Sequence, residues 1–419
     1  MHLNYRKTCR SCGLPTLRRV IDLGNHHLQG MFAQGGRDVA RGVQRRVPMS
    51  LVRCDPAVHE RGCGLLQTEH GVPPELMYEF YWYRSGTNAS MRDHLKGIVE
   101  QVTDLQRGET SLALDIGCND GTLLSNYPRS VEKWGIDPSN LIPESDDNCT
   151  YVRDFFPSRE LVSRKPGIKF DAITSIAMFY DLEEPGRFVS AIKELLHPKG
   201  LWVVEVSYMP KMLSQGSYDS ICHEHLLYFS FASLENLITR HELKVVRAEF
   251  NSMNGGSIRC FVAHDGTTLY KDADHQRSLR EIRVAEFDAQ LDSDDPYRRF
   301  QSRAEQHKED LSSLVRELVS SGKRIQVYGA STKGNTILQW CDLNNRLIEA
   351  AADRNPDKWG LVTPGTEIPI ISEETSRKTP PDYYLVLPWH FREEFLQREH
   401  SLRDRGTKFI FPLPTIQII

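Results

Sequence analysis

What this chain lacks narrows the field first. Across 419 residues no stretch approaches the roughly 20 apolar residues that a membrane-spanning helix needs. Neither charge sign prevails: 52 Lys and Arg face 56 Asp and Glu, a formal net charge of −4. No basic stripe with interleaved aromatics marks a nucleic-acid surface. Residues 1–10 are polar and lack the apolar centre of a secretory signal. A coiled-coil seam is also missing. Together these absences predict a soluble, cytoplasmic monomer with no membrane or nucleic-acid partner. The odd number of cysteines, nine, suits a reducing compartment and leaves thiols for metal or for the core. The length implies two or three domains.

The thiols that are present cluster early. Cys9-Arg10-Ser11-Cys12-Gly13 has the two-residue gap of a zinc knuckle, and Cys54 and Cys63 form a second pair across a gap of eight residues. Cys9, Cys12, Cys54 and Cys63 would close a tetrahedral structural Zn2+ site. His59 is a possible substitute ligand, and Cys54 and Cys63 could instead be small buried residues. A short head with few apolar residues needs such a staple. A loose basic loop follows through Gly35-Gly36-Arg37 and residues 41–46, and then Tyr78, Tyr81, Trp82 and Tyr83 form an aromatic cluster.

The clearest local signal runs from Ser111 to Leu124. An apolar strand ends in Asp115, Gly117 and Gly121 permit a tight turn around Asn119, and a helical pattern follows. About twenty residues later a second strand ends in Asp137, placed to hold a ribose diol. The glycine fingerprint of dinucleotide binders is not intact here. The Asp-x-Gly-x-x-x-Gly form resembles class I S-adenosylmethionine-dependent methyltransferases. By that resemblance Asp137 holds the ribose, the loop Gly117 to Gly121 faces the methionine part, Asp115 and Asn119 belong to the cofactor-binding set, and Asp154 and Phe155 lie in the stretch that meets adenine.

Further on, His223-Glu224-His225 places two imidazoles around a carboxylate, an arrangement suited to proton transfer; the alternative is a solvated loop. Asn254-Gly255-Gly256-Ser257 precedes a strand carrying Arg259, which could meet a phosphate or be a surface residue. Tyr328-Gly329-Ala330-Ser331-Thr332-Lys333-Gly334 repeats the strand–turn–helix design, and Ser331 and Lys333 sit at its anion-binding corner. It is not a P-loop, because the glycine and lysine spacing differs.

As a set, these motifs resemble the sugar C-methyltransferases of unusual deoxysugar pathways over essentially the whole length. The resemblance implies an α/β protein: a zinc-binding domain over 1–72, a doubly wound class I methyltransferase sheet over 73–250, and a second Rossmann-like domain over 251–419 that helps bind a nucleotide sugar. It implies S-adenosyl-L-methionine and structural zinc as cofactors and a nucleotide-diphosphate 4-keto-6-deoxyhexose as substrate, methylated at C-3. It makes His225 the base, has Glu224 orient a neighbouring group or contact the sugar, gives His223 a structural role, and offers Tyr81 or Tyr83 to the sugar. Two positions depart from the pattern. Cys222 stands where a tyrosine usually precedes His-Glu-His, and Tyr180 stands where many members carry histidine after the fourth strand, so Tyr180 is expected to help polarise an enolate oxygen. The other readings weighed are O- or N-methylation of another sugar or metabolite, a nucleotide-sugar oxidoreductase using the tail, a nucleic-acid methyltransferase, and a non-catalytic binding protein.

Overall fold

The computed structural model describes residues 3–33, 46–78, 82–145 and 147–419. Tyr81 and most of the basic loop, residues 35–37 and 41–45, lie outside the described residues.

The head is a four-stranded antiparallel sheet in the order Leu227–Tyr228, Leu66–Thr68, Val47–Cys54, Leu17–His26. Its apolar face does not close on itself. Ile21, Leu23, Met49, Leu51 and Leu66 share one core with Tyr297, Phe300, Val327 and Ile337 from the tail. Arg53, fully buried, donates to the carbonyls of Leu291 and Ser293 and pairs with Asp55, so its charge stays compensated out of water. The fourth strand of this sheet comes from the middle of the chain, just after His225.

The middle domain begins with helix Ala89–Leu105, whose buried Met91, Leu95, Ile98, Val99 and Val102 recur at helical spacing. It covers a seven-stranded sheet ordered Leu243–Asn251, Ser257–His264, Leu196–Ser207, Phe170–Ile176, Leu112–Ile116, Glu132–Ile136, Cys149–Val152. Strand Ser257–His264 runs antiparallel to both its neighbours, and the other adjacent pairs are parallel. The sheet therefore extends past the boundary drawn at residue 250. Without Ser257–His264, strand Leu243–Asn251 would have no partner. Strand order reverses between Leu112–Ile116 and Phe170–Ile176, the switch point where doubly wound sheets bind ligands beyond their carboxyl ends.

The tail's sheet has the order Ile370–Ser372, Ala351–Asp353, Ile325–Tyr328, Tyr383–Val386, Lys408–Phe411, Gln417–Ile418, parallel except for the last pair. Ile325–Tyr328 is buried along its whole length, as a parallel strand covered on both faces must be. Its own switch point lies between Ile325–Tyr328 and Tyr383–Val386.

Candidate functional site

The two switch points open into one cavity of about 900 Å³. Its walls come from the turn after Ile116, the segment after Ile176, the turn 329–333, residues 388–391 and the His-Glu-His loop. Of the residues expected from the sequence, Asp115, Gly117, Asn119, Asp137, Asp154, Phe155, Tyr83, Tyr180, Glu224, His225, Asn254, Ser331 and Lys333 all line it.

In the middle domain the glycine turn is held by the strand-end acid. Asp137 accepts from the backbone N–H of Asn119 at 2.9 Å and of Ser139 at 2.8 Å. Gly117, at φ +73°, brings the chain against Met178, where a Cβ would lie 2.8 Å from that side chain. Asp115 is buried and accepts from the Thr174 hydroxyl at 2.6 Å; burial raises its pKa to about 7 against the pull of that bond. Ala177, at the end of the fourth strand, holds φ +55°, rare for a residue with a Cβ, and its N–H donates to the Glu205 carbonyl. Asn119 also clamps a covering strap: its side chain donates to the Tyr83 carbonyl at 2.9 Å and accepts from Ser85 N–H at 3.0 Å. Phe155 presents a ring that is 41 % exposed. Asp154 binds its own loop, accepting from Phe155 N–H and the Ser158 hydroxyl.

The His-Glu-His loop is fastened by all three domains. His223 uses its N–H and Nδ1 on the Gln29 side-chain oxygen, at 3.1 and 2.6 Å. Leu226 N–H donates to the Tyr180 carbonyl, and its own carbonyl accepts from Thr68 N–H. The Thr336 hydroxyl donates to the Ile221 carbonyl, and Trp389 Nε1 donates to Asp219. Thus fixed, His225 donates from Nδ1 to the Ser220 carbonyl at 2.9 Å, which leaves Nε2 unprotonated. Burial, then the nearby Lys333 charge, lowers its pKa to about 3, so the imidazole is neutral. Its ring meets Tyr180 edge-on at 4.5 Å. Glu224 lies against Gly30, where any Cβ would collide with its Oε1, and 3.4 Å from the Thr332 hydroxyl. Burial lifts Glu224 to about 7, opposed by Thr332 and Lys358.

The tail supplies the cations. Ser331 caps helix Thr332–Trp340 by accepting from Gly334 N–H. Lys333 donates to the Asn254 carbonyl at 3.0 Å, and burial lowers its pKa although Asp219 opposes this.

Two expected residues stand elsewhere. Gly121, at φ +74°, packs against Tyr151. Arg259 is committed to a buried network: it donates to Glu205 at 2.8 Å and to Gln101 at 2.6 Å, and Glu205 also binds His94 at 2.7 Å. A guanidinium so paired is not free for a phosphate, and Arg259 does not line the cavity. Cys222 is fully buried behind the loop. Residues not singled out from the sequence also line the wall: Asp181, whose carboxyl is pushed well up by burial and then by Glu224; His390, lowered to about 3 by burial; and Lys358. The adjacency of Asp181 to Tyr180, and of Lys358 to the acid ending the second tail strand, were the available signals.

In the head, the sulfurs of Cys9, Cys12, Cys54 and Cys63 all lie within 4.8 Å of one another. Cys9–Cys63 is 3.5 Å and Cys12–Cys54 is 3.4 Å, too long for disulfides. Four sulfurs about 2.3 Å from one zinc would stand roughly 3.8 Å apart, so the set fits the ion. Gln67 Nε2 donates to Cys9 at 3.2 Å and Thr16 lies 3.0 Å from Cys54, the outer contacts a thiolate site requires. His59 instead accepts from Arg61 N–H in its own turn.

Comparison with known proteins agrees with this anatomy. Residues 9–78 match a zinc binding domain, 91–248 a methyltransferase domain, and 252–414 the C-methyltransferase C-terminal domain. The C-methyltransferase NovU of Streptomyces niveus is 30 % identical over 98 % of this chain and 96 % of its own length. Among solved structures, magnesium protoporphyrin IX methyltransferase from Synechocystis, with bound S-adenosylmethionine, is 14 % identical over 44 % of this chain and 87 % of that one, with a TM-score of 0.31. An S-adenosylmethionine-dependent methyltransferase from Clostridium acetobutylicum is 12 % identical over 43 % and 94 %, with a TM-score of 0.32. From its cysteine head to its second α/β domain, this chain belongs to the C-methyltransferase family of which NovU is a member.

Proposed function

We propose that the protein methylates a carbon next to a ketone, C-3 of a nucleotide-linked 4-keto-6-deoxyhexose, using S-adenosylmethionine. The observation that carries this reading is the tautomer of His225: Nδ1 is tied to the Ser220 carbonyl, so Nε2 is an acceptor in the wall of a cavity shared by two switch points. The donor supplies an electrophilic methyl group. Asp137 would take the ribose hydroxyls with the lone pairs left beside its two backbone bonds, Phe155 would stack on the adenine, and the turn at Gly117 would lie against the methionine part. The sugar would sit between this half and the tail, its phosphates toward Ser331 and Lys333.

His225 would remove the proton from carbon, the electron pair moving onto the ketone oxygen. The carbon would then take the methyl in line, so both partners must be positioned together. Burial keeps His225 neutral but also weakens it as a base. Pairing of Lys333 with the substrate's phosphates would relieve part of that, since Lys333 depresses the imidazole. Tyr180 would hydrogen-bond the developing oxyanion. Zinc would stabilise the head without touching substrate. The reading has the protein act as a cytoplasmic monomer. Use of the tail as a dinucleotide site is disfavoured by Lys358, which sits over the turn there, 2.6 Å from the Ala330 carbonyl and 3.6 Å from Asp353.

The test is deuterium entry at the sugar carbon in D2O with S-adenosylhomocysteine present. Wild type should exchange that position and His225→Asn should not, while both bind S-adenosylhomocysteine with equal affinity. Exchange at the wild-type rate in His225→Asn would refute the base assignment.

A further inference from the structure

The tail's switch point opens between two loops, the turn 329–333 and residues 388–391, and both line the large cavity. They lie in close contact: a Cβ on Gly329 would stand 2.7 Å from the Pro388 ring. His390 belongs to the second loop. Its ring is held between Trp389, 5.6 Å away and perpendicular, and Phe391, 4.4 Å away. Trp389 is itself anchored by its bond to Asp219. A phenylalanine would pack there equally well, so the polarity of the ring calls for a reason. Nδ1 is buried without a hydrogen-bond partner, and Nε2 is bonded to no described residue. Buried polar groups are almost always satisfied, so the pair stands out. Burial, then the charge of Lys333, keeps the imidazole neutral by lowering its pKa to about 3. A neutral ring carries one proton. On Nδ1 that proton would be enclosed with no acceptor; on Nε2 it is open to the cavity that His390 lines.

We propose that His390 binds a phosphate group of the nucleotide sugar, donating from Nε2 beside Lys333 and Ser331. The inference rests on the reading of the substrate as nucleotide-linked and adds a binding residue to it. The surroundings of the ring favour an anion. Lys333 lies in the first turn of helix Thr332–Trp340, whose unpaired N–H groups add to its positive charge. Asp219, the acid bonded to this loop, is occupied by Trp389 Nε1. Across the turn, Lys358 already holds the Ala330 carbonyl and pairs with Asp353, which leaves the side toward His390 for a ligand. Lys333 supplies charge on a flexible stem and little direction. An N–H on a ring clamped by two aromatics supplies the direction, and its bond to a charged oxygen is of the stronger kind.

The experiment titrates thymidine, guanosine and cytidine diphosphates into the full-length protein holding S-adenosylhomocysteine, for wild type, His390→Phe and His390→Gln. His390→Phe keeps the packing and loses the N–H; His390→Gln keeps a donor. The diphosphate that wild type binds tightest is expected to weaken about 10–100-fold in His390→Phe and no more than about threefold in His390→Gln. Affinity for S-adenosylhomocysteine should stay within about twofold in both, which a general loosening of the cavity would not allow. Wild-type affinity for the diphosphate in His390→Phe would overturn the assignment, and weakening by Lys333→Gln in the same assay would then leave the phosphate site itself standing. Equal weakening in Phe and Gln variants would also overturn it, because the ring rather than its N–H would matter. Absence of diphosphate binding in wild type would remove the phosphate site and His390 together. Should His390→Phe fold poorly, ring 15N NMR of wild type serves instead: the diphosphate should shift the Nε2 resonance that is missing from His390→Gln, and an unmoved resonance would refute the contact.

Discussion

The middle domain and the tail use one device for two purposes. In each, a strand runs into a glycine turn and the next strand ends in an acid that accepts two backbone N–H groups. Asp137 accepts from Asn119 and Ser139; Asp353 accepts from Ala330 and Asn355, both at 2.8 Å. The difference lies in what covers the turn. Over the middle turn lies backbone of the strap 83–86, held by Asn119 and Asp120. Over the tail turn lies Lys358, bonded to Ala330 and 4.7 Å from the Phe32 ring of the head. A buried cation there needs the acid as its counter-ion, whereas among the described residues no side-chain cation forms an ion pair with Asp137. The same pattern of acid-to-backbone bonds thus leaves an acid without a bonded cation in one half and a cation-braced wall in the other.

The largest effect that can break this comparison concerns the head, whose sheet face packs with the tail while its Cys9, Cys54 and Leu65 pack in the middle domain's core with Leu114 and Ile116. Removing zinc by Cys54→Ser should destabilise the protein on the order of 5 kcal/mol or more. In hydrogen exchange, strand Leu112–Ile116, whose Leu114 and Ile116 share a core with Cys9 and Cys54, should lose protection before Tyr383–Val386; the reverse order would mean the zinc site braces the tail. Next, His225→Asn should lower kcat by about a thousandfold while sparing donor binding, measured by turnover and titration calorimetry. Third, Asp137→Asn and Asp353→Asn should each cost about 1–3 kcal/mol of stability through one lost charged hydrogen bond, but only Asp137→Asn should weaken S-adenosylhomocysteine, by roughly 10–100-fold. Equal weakening by both would erase the distinction.

The smallest effect is on pH dependence. Asp115 and Glu224 are both lifted to about 7, chiefly by burial. An acid raised on folding adds stability that is full below its unfolded value and is lost as pH rises through its folded value. The stability of the free protein, followed by its melting temperature, should thus fall between pH 5 and 8, by at most roughly 3 kcal/mol per group. Glu224→Gln should flatten part of that slope; an unchanged slope would show that Glu224 is already ionised in the fold.

Much of this was legible in the chain because it is local. The turn after Asp115, its echo after Tyr328 and the Cys9–Cys12 knuckle each need only a few neighbouring residues, and all formed where expected. What escaped depends on distant partners. Nothing near Leu227 announces that it pairs with Gln67 of the head. Ser257–His264 reads as the start of the tail, yet two strands of the middle domain claim it. Arg259 looked free for a phosphate because its partners, Glu205 and Gln101, lie 54 and 158 residues away. Burial of Asp181 and Glu224, and hence their shifted protonation, is likewise a product of three domains meeting.

The most direct test supplies nucleotide-linked 4-keto-6-deoxyhexoses with a donor bearing a 13C-methyl group and locates the label by NMR. The account predicts a methyl carbon bonded to the ring carbon beside the ketone. Label on an oxygen or nitrogen, with the ring carbon still carrying its proton, would contradict it.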